Sequence, residues 1–155
     1  MTEQVANKGG ATMYIKQISI FLENKSGRLS HVTDVLADGN INIRTLSIAD
    51  TSDFGILRLI VDQPDAAYEL LKKEGFAVSA TNVFAVAVED KPGGLAQVLR
   101  IFNDAEVNLE YMYAFMGNQD KRAITVCRVA HPDIALAALE KAGIDVLSGQ
   151  EVYGQ

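Results

Sequence analysis

The sequence has little cysteine and no long apolar run. Its single cysteine, Cys127, cannot form an intramolecular disulfide, and it lies in an alternating apolar run, 124–129, that is typical of a strand. No run approaches the roughly 18 apolar residues that a membrane-spanning helix needs. We therefore expect neither a disulfide framework nor a membrane-spanning helix.

Basic residues are also scarce. The chain has 14 lysines and arginines against 20 aspartates and glutamates, so its formal net charge is −6. A chain with this charge has no general attraction to nucleic-acid phosphates or to anionic bilayers. We expect no nucleic-acid partner and no membrane partner, and we expect a cytoplasmic protein.

Catalytic and metal-binding motifs are missing as well. The two histidines, His31 and His131, have no Cys, His or Asp nearby at metal-ligand spacing. The sequence contains no GxSxG motif, no HExxH motif and no phosphate-binding P-loop. We expect a protein that is not an enzyme and that carries neither a metal nor a cofactor.

A repeat is the main feature that the sequence does contain. ENKSGRL begins at Glu23 and EDKPGGL begins at Glu89, each between an apolar run and an amphipathic one. The two copies lie 66 residues apart. Each half then shows the same order of patterns, which is a strand, a helix, two strands, a helix that starts near a proline, and a strand.

The periodicity also predicts the elements themselves. Helices are expected at 28–38 and 133–142, from Pro64 to Gly75 and directly after Gly93, and strands at 15–22, 41–49, 55–62, 107–115, 122–129 and 144–153. The run 76–89 predicts two strands with a break near 80–82. The helices are expected to turn Leu29, Val32, Val35 and Leu36, and then Leu95, Val98, Leu99 and Phe102, towards the core.

This order predicts the α+β class, as two ferredoxin-like βαββαβ repeats. In each repeat four antiparallel strands, in the order 4-1-3-2, carry both helices on one face. We expect residues 1–13 to form a disordered polar leader, residues 14–81 the first repeat and residues 82–155 the second.

The repeated turn has a chemical use as well as a structural one. The first N–H groups of a helix have no partner within the helix and lie at the positive end of its dipole, so they attract a carboxylate or a phosphate. Glycines at Gly27, Gly93 and Gly94 allow a ligand to approach the backbone, and Ser26 is a candidate cap. The alternative is purely structural, because glycine and proline are expected in any tight strand–helix connection.

An asparagine recurs in register with the turn. Asn42 and Asn108 each follow the first helix of their half, 66 residues apart. The side chain of asparagine carries both a donor and an acceptor, so it can hold both ends of a zwitterion, although asparagine also commonly caps helices and turns chains.

Together these residues resemble the ACT-domain pattern. That pattern is an acidic or amide residue, then Pro-Gly-x-Leu, then a helix, then Gly-(Ile/Val)-Asn-Ile. Residues 22–29 with 39–43 are similar to it, and so are residues 88–95 with 107–109. The copies differ from the pattern where Ser26 replaces the proline and Ala105 replaces the glycine that ends the helix. The resemblance covers residues 14–153 and implies a free-standing tandem ACT protein whose two sheets join side by side.

The resemblance also implies where a ligand binds, namely between the first turn of one repeat and the second strand of the other. One site would combine Asn24, Lys25, Ser26, Gly27, Arg28 and Leu29 with Asn108 and Glu110. The other would combine Asp90, Lys91, Gly93, Gly94 and Leu95 with Asn42 and Arg44.

Two functions follow as expectations. The first is a non-catalytic regulatory protein that binds a free amino acid between its repeats. The second is an interaction module with a vestigial pocket, such as the regulatory subunit of a separately encoded amino-acid biosynthetic enzyme. In either case the chain could pair with a second copy of itself through its open sheet edges.

Overall fold

The structure is a computed structural model that describes residues 7–8, 11–117 and 121–154. The chain divides into two compact units. One unit is Lys16–Asn82, and the other joins Val83–Gln155 to the segment that ends at Ile15.

The elements follow the order that the repeat predicts. Two short strands, β1 (Asn7–Lys8) and β2 (Ala11–Thr12), precede the first repeat. The first repeat then consists of β3 (Ile15–Glu23), α1 (Arg28–Asp38), β4 (Ile43–Asp50), β5 (Phe54–Val61), α2 (Pro64–Lys73) and β6 (Ala77–Glu89). The second repeat continues with α3 (Gly94–Asp104), β7 (Leu109–Met116), β8 (Arg122–Val129), α4 (Pro132–Lys141), β9 (Val146–Leu147) and α5 (Gly149–Tyr153).

The strand order confirms the ferredoxin-like topology. In the first repeat the order is β4-β5-β3-β6, and in the second repeat it is β7-β8-β6, with β9 on β6. Both orders correspond to 4-1-3-2. Strand β5 pairs antiparallel with β3 and β4, β8 pairs antiparallel with β6 and β7, and β9 pairs antiparallel with β6. Two right-handed βαβ crossovers in one sheet produce this order.

Each unit has its own hydrophobic core between its sheet and its helices. In the unit 16–82 the core includes Ile20 and Leu59 from the sheet and Leu36 and Leu71 from the helices, all of which are at most 1% exposed. In the other unit the rings of Phe84 and Phe102 meet edge to face, with their centroids 6.3 Å apart. Because each core closes within one repeat, the ends of the strands and helices that carry the repeated turns are held in place.

Two elements differ from the sequence-based predictions. The run 76–89 forms one strand, β6, rather than two. The predicted last strand, 144–153, keeps only Val146–Leu147 as a strand and then becomes the helix α5. Ser148 starts this helix with a capping box, in which its side chain accepts from the N–H of Glu151 while the carboxylate of Glu151 accepts from the N–H of Ser148.

The N-terminal segment includes ordered backbone before the predicted start at Tyr14. β1 and β2 pair antiparallel, and Met13 is 4% exposed within the core of the second unit. Residues 1–6 and 9–10 of the predicted leader lie outside the described residues.

In the described ranges, no helix has the length and the apolar composition of a membrane-spanning helix. No group of three or more His, Cys, Asp or Glu side chains in residues 7–8, 11–117 and 121–154 is arranged to hold a metal ion.

Candidate functional site

The two repeated turns have the same backbone geometry. Gly27 and Gly93 precede the helices α1 and α3 with φ angles of 85° and 86°, a left-handed conformation that glycine adopts without steric cost. The N–H of Lys25 donates to the Glu23 carbonyl and the N–H of Lys91 to the Glu89 carbonyl, both at 2.9 Å. The sequence repeat is therefore also a repeat of conformation.

Both helices begin without a side-chain cap. Ser26, the predicted candidate, makes no capping bond, and neither helix has an acidic residue in its first turn. In the part of the chain that the structure describes, no acceptor contacts the N–H groups of Leu29 and Ser30, or those of Leu95 and Ala96. These donors lie at the positive end of an 11-residue helix, so each turn offers a place for an anionic group.

A carboxylate and a lysine flank each turn. Lys25 Nζ lies 2.9 Å from Glu23 Oε2, and Lys91 contacts Glu89 in the same way. The hydrogen bond from Lys25 and the nearby positive charges lower the pKa of Glu23, and Lys91 lowers the pKa of Glu89 for the same reason. Both turns therefore carry an oppositely charged pair at neutral pH.

Gly94 is needed for a reason that the first turn does not share. A Cβ atom at this position would lie 2.2 Å from the carbonyl oxygen of Glu89, closer than real Cβ contacts come. The matching residue in the first repeat is Arg28, whose N–H lies 3.3 Å from the Lys25 carbonyl, against 3.0 Å for Gly94 and Lys91. The second turn is the tighter of the two.

Asn24 also has a structural role. Its N–H donates to the Asp53 carbonyl at 2.8 Å, and its side-chain Nδ2 donates to the Ser52 carbonyl at 3.4 Å. These bonds join the first turn to the connection between β4 and β5. Asp90 is the exposed counterpart in the second repeat, where residues 118–120 of the matching connection lie outside the described residues.

Asn42 and Asn108 lie just before β4 and β7, with exposed side chains. The carbonyl of Asn42 accepts from the N–H of Asp62 at 3.0 Å, and the carbonyl of Asn108 accepts from the N–H of Ala130 at 3.1 Å. Asp62 Oδ1 in turn accepts from the N–H of Asn42 at 2.9 Å. Asn42 also lines a shallow cleft of about 310 Å³, together with Ala37, Asn40, Ile41, Asp62 and Gln63.

The turn and the asparagine lie at opposite ends of the first helix within one repeat. Each helix has 11 residues, and at a rise of about 1.5 Å per residue its ends are about 16 Å apart. One small ligand cannot contact both ends. Within a single repeat, therefore, the structure does not bring these predicted site residues together.

The remaining predicted site residues vary in their surroundings. Glu110 Oε2 pairs with Arg128 Nε of the neighbouring strand at 3.4 Å, and Arg44 is half-buried in β4. Leu29 and Leu95 were expected in the core, but they are 37% and 41% exposed in the first turns of their helices. Leu99, also expected in the core, is 37% exposed, because α3 buries Gly94, Val98 and Phe102 instead.

A cavity in the second unit was not predicted from the sequence. It has a volume of about 240 Å³ and lies where β6 ends, α3 begins and the connection between α4 and β9 passes. Its wall includes Gln97 and an ion pair between Arg122 Nη1 and Asp145 Oδ2 at 3.1 Å. Only a position-by-position comparison of the two halves of the sequence could have drawn attention to these residues.

Comparison with known proteins agrees with this architecture. The ACT domain pair family matches residues 13–151. Protein BT0572 from Bacteroides thetaiotaomicron is 45% identical, with a TM-score of 0.87, and the match covers 92% of this chain and 98% of that one. The comparison with curated proteins gives no match.

More distant solved structures share the fold. The ligand-free regulatory subunit of aspartate kinase from Thermus thermophilus is 19% identical over 82% of this chain and 91% of that one, with a TM-score of 0.59. The regulatory subunit of aspartate kinase from Thermus flavus is 17% identical over 86% and 98%, with a TM-score of 0.56. The chain belongs to the ACT domain pair family.

Proposed function

We propose that this ACT domain pair is a non-catalytic regulatory protein that binds a free amino acid at its repeated strand–helix turns. The observation that carries the proposal is the pair of helix starts that lack a cap. Both have a left-handed glycine, exposed N–H donors and an adjacent carboxylate–lysine pair.

The chemistry of a turn suits the common part of every amino acid. The α-carboxylate would accept hydrogen bonds from the N–H groups of Leu29 and Ser30, or of Leu95 and Ala96, at the positive end of the helix dipole. The α-ammonium group needs an acceptor, which an asparagine oxygen or a carboxylate can supply.

We propose that this acceptor comes from the other repeat. Since the turn and the asparagine of one repeat are about 16 Å apart, a ligand that uses both must take them from different repeats. The first turn would then work with Asn108 and Glu110, and the second turn with Asn42 and Arg44. The cross-repeat pairing remains a prediction.

Titration calorimetry on variants tests this pairing. Asn42→Ala should weaken binding at the site of the second turn, and Asn108→Ala should weaken binding at the site of the first. The matched control is Asn103→Ala, an exposed asparagine of α3, which should bind as the wild type does. If both asparagine variants lose the same site, the pairing is wrong.

The alternative function is a subunit that regulates a separately encoded amino-acid biosynthetic enzyme without binding a ligand itself. It is favoured by the fold that the chain shares with the regulatory subunits of aspartate kinase. If no amino acid stabilises the purified chain, while a metabolic enzyme co-purifies with it at fixed stoichiometry, the alternative replaces our proposal.

A further inference from the structure

The first unit has an exposed apolar patch on the face of its sheet that lies away from the helices. Ile20 and Leu57 pack into the core with the helices, so the alternate residues of β3 and β5 lie on the opposite face. On that face Phe21 is 54% exposed, Phe54 is 42% exposed and Ile56 is 37% exposed. We call these three residues the first-repeat patch.

The first-repeat patch is a continuous surface. Phe21 pairs with Ile56 across β3 and β5, and the rings of Phe21 and Phe54 stack with their centroids 5.0 Å apart. Ala49 of β4 pairs with Ile56 from the other side and is exposed as well, so the apolar surface extends over three strands. Because the two rings already stack on each other, a partner would lose little conformational entropy in ordering them.

The second repeat has different side chains at the matching positions. There Ala87 pairs with Ile124, as Phe21 pairs with Ile56, and Glu89 pairs with Arg122. Ile124 is only 4% exposed. Since the two repeats share one fold, the fold itself does not require exposed rings at this end of a sheet. Exposed apolar patches of this kind mark interaction surfaces.

The two ends of the first-repeat patch differ in charge. At the end near the first turn the carboxylates outnumber the cations by one, with Glu23, Asp50 and Asp53 against Lys25 and Arg28. In the other direction the next residue on this face of β5 is Arg58, which pairs with Ser19. The patch therefore has an acidic end and a basic end.

We propose that the first-repeat patch is a self-association surface, on which the same patch of a second copy of this chain docks face to face. A symmetric contact uses the same surface of both copies, so it needs a surface that complements itself. With the two β5 strands antiparallel, Ile56 would lie opposite Ile56 of the second copy, and Arg58 would lie opposite the acidic end. With the strands parallel, acidic end would meet acidic end, so the charges favour the antiparallel arrangement.

The size of the patch sets the strength of the contact. A stable interface buries roughly 800 Å² on each partner, which is more than three partly exposed side chains supply. We therefore expect a dimer in equilibrium with the monomer. This contact uses a sheet face rather than a sheet edge, and it does not depend on amino-acid binding.

Sedimentation velocity of the full chain, without added amino acids, tests the proposal over concentrations from about 1 to about 100 μM. Phe21→Glu places a charge in the centre of the patch. The matched control is Ile48→Glu, because Ile48 of the edge strand β4 is 48% exposed but pairs with Leu57 and so lies on the other face of the sheet. Arg58→Glu, alone and with Glu23→Arg, tests the charge arrangement.

We expect the wild type and Ile48→Glu to change from monomer to dimer within this range, and Phe21→Glu to weaken the dimer by about tenfold or more. Arg58→Glu should weaken the dimer as well. Adding Glu23→Arg should restore it, because the two charges then exchange places across the contact. Melting curves should show that each variant is folded, and Phe21→Ala replaces Phe21→Glu if the latter is not.

Other outcomes overturn the proposal. A wild type that stays monomeric over the whole range contradicts self-association. A dimer that Phe21→Glu leaves intact uses another surface, and this surface is the edge of β4 if Ile48→Glu dissociates it instead. A double variant that does not regain the dimer rules out the antiparallel arrangement.

Discussion

Truncation of Phe102 should unfold the second unit far more readily than truncation of Leu95, although both residues lie on α3. Phe102 is 2% exposed, and its ring meets Phe84 edge to face at 6.3 Å. Loss of a buried phenylalanine costs about 3–5 kcal/mol. Leu95 is 41% exposed, so Leu95→Ala leaves little new cavity and should cost about 1 kcal/mol or less.

Urea unfolding followed by circular dichroism measures this difference. With a slope of about 2 kcal/mol/M, a loss of 4 kcal/mol moves the midpoint by about 2 M, whereas the Leu95 variant should move it by about 0.5 M or less. Hydrogen exchange then assigns the loss to a unit, and it should appear in residues after Val83 rather than in Lys16–Asn82. If the two variants lose the same stability, the buried face of α3 is not the one described.

Three further predictions concern the thiol, the turn and the charges. Burial raises the pKa of Cys127 to about 12, so a thiol reagent should label the native protein only as fast as the strand opens, and labelling at the rate of a free cysteine would contradict its burial. At Gly93 φ is 86°, and no atom would contact an added Cβ. Gly93→Ala should therefore lower the free energy of unfolding, measured in urea, by about 1–2 kcal/mol through backbone strain alone. A neutral effect would argue against the left-handed turn. The fold lowers the pKa of Glu23, so the charge of Glu23 stabilises the native state above its ordinary pKa, and this contribution is lost as the pH falls through the lowered value. Glu23→Gln should therefore reduce the drop in melting temperature between pH 7 and pH 3. An unchanged drop would mean that the pair with Lys25 contributes nothing to stability.

The repeat made most of the fold predictable. The bounds of α1 were predicted to the residue from its glycine positions and its amphipathic stripe. The positions of glycine and proline also predicted the order of strands in both repeats. The topology followed because few connections are compatible with βαββαβ and a right-handed crossover. Family membership could be predicted for the same reason, since the motif occurs twice in register.

Sequence patterns gave wrong predictions where one pattern is compatible with two structures. In α3, helical spacing fits Leu95 and Leu99 as well as Val98, and only packing decides that the stripe through Val98 and Phe102 is buried. At the C terminus, alternation predicted a strand, although Ser148 and Glu151 already formed a capping-box signature.

The candidate site was predictable in part. The turns were recognisable because glycine is required for their conformation, and Gly27 and Gly93 have nearly equal φ angles. The cavity of the second unit was not predictable, because no single residue of it is unusual. Its charged pair is visible only when the two halves are compared, since Arg122 and Asp145 stand where the first repeat has Phe54 and Ala77.

Binding of a free amino acid is the central claim, and a thermal-shift screen of the purified chain against the twenty amino acids tests it most directly. A ligand at a hundred times its dissociation constant stabilises the native state by about 2.7 kcal/mol, which corresponds to a rise in melting temperature of about 5–10 °C for a chain of this size. The account predicts one strong, saturable hit, with one or more molecules bound per chain in a following calorimetric titration. No rise with any of the twenty would contradict it.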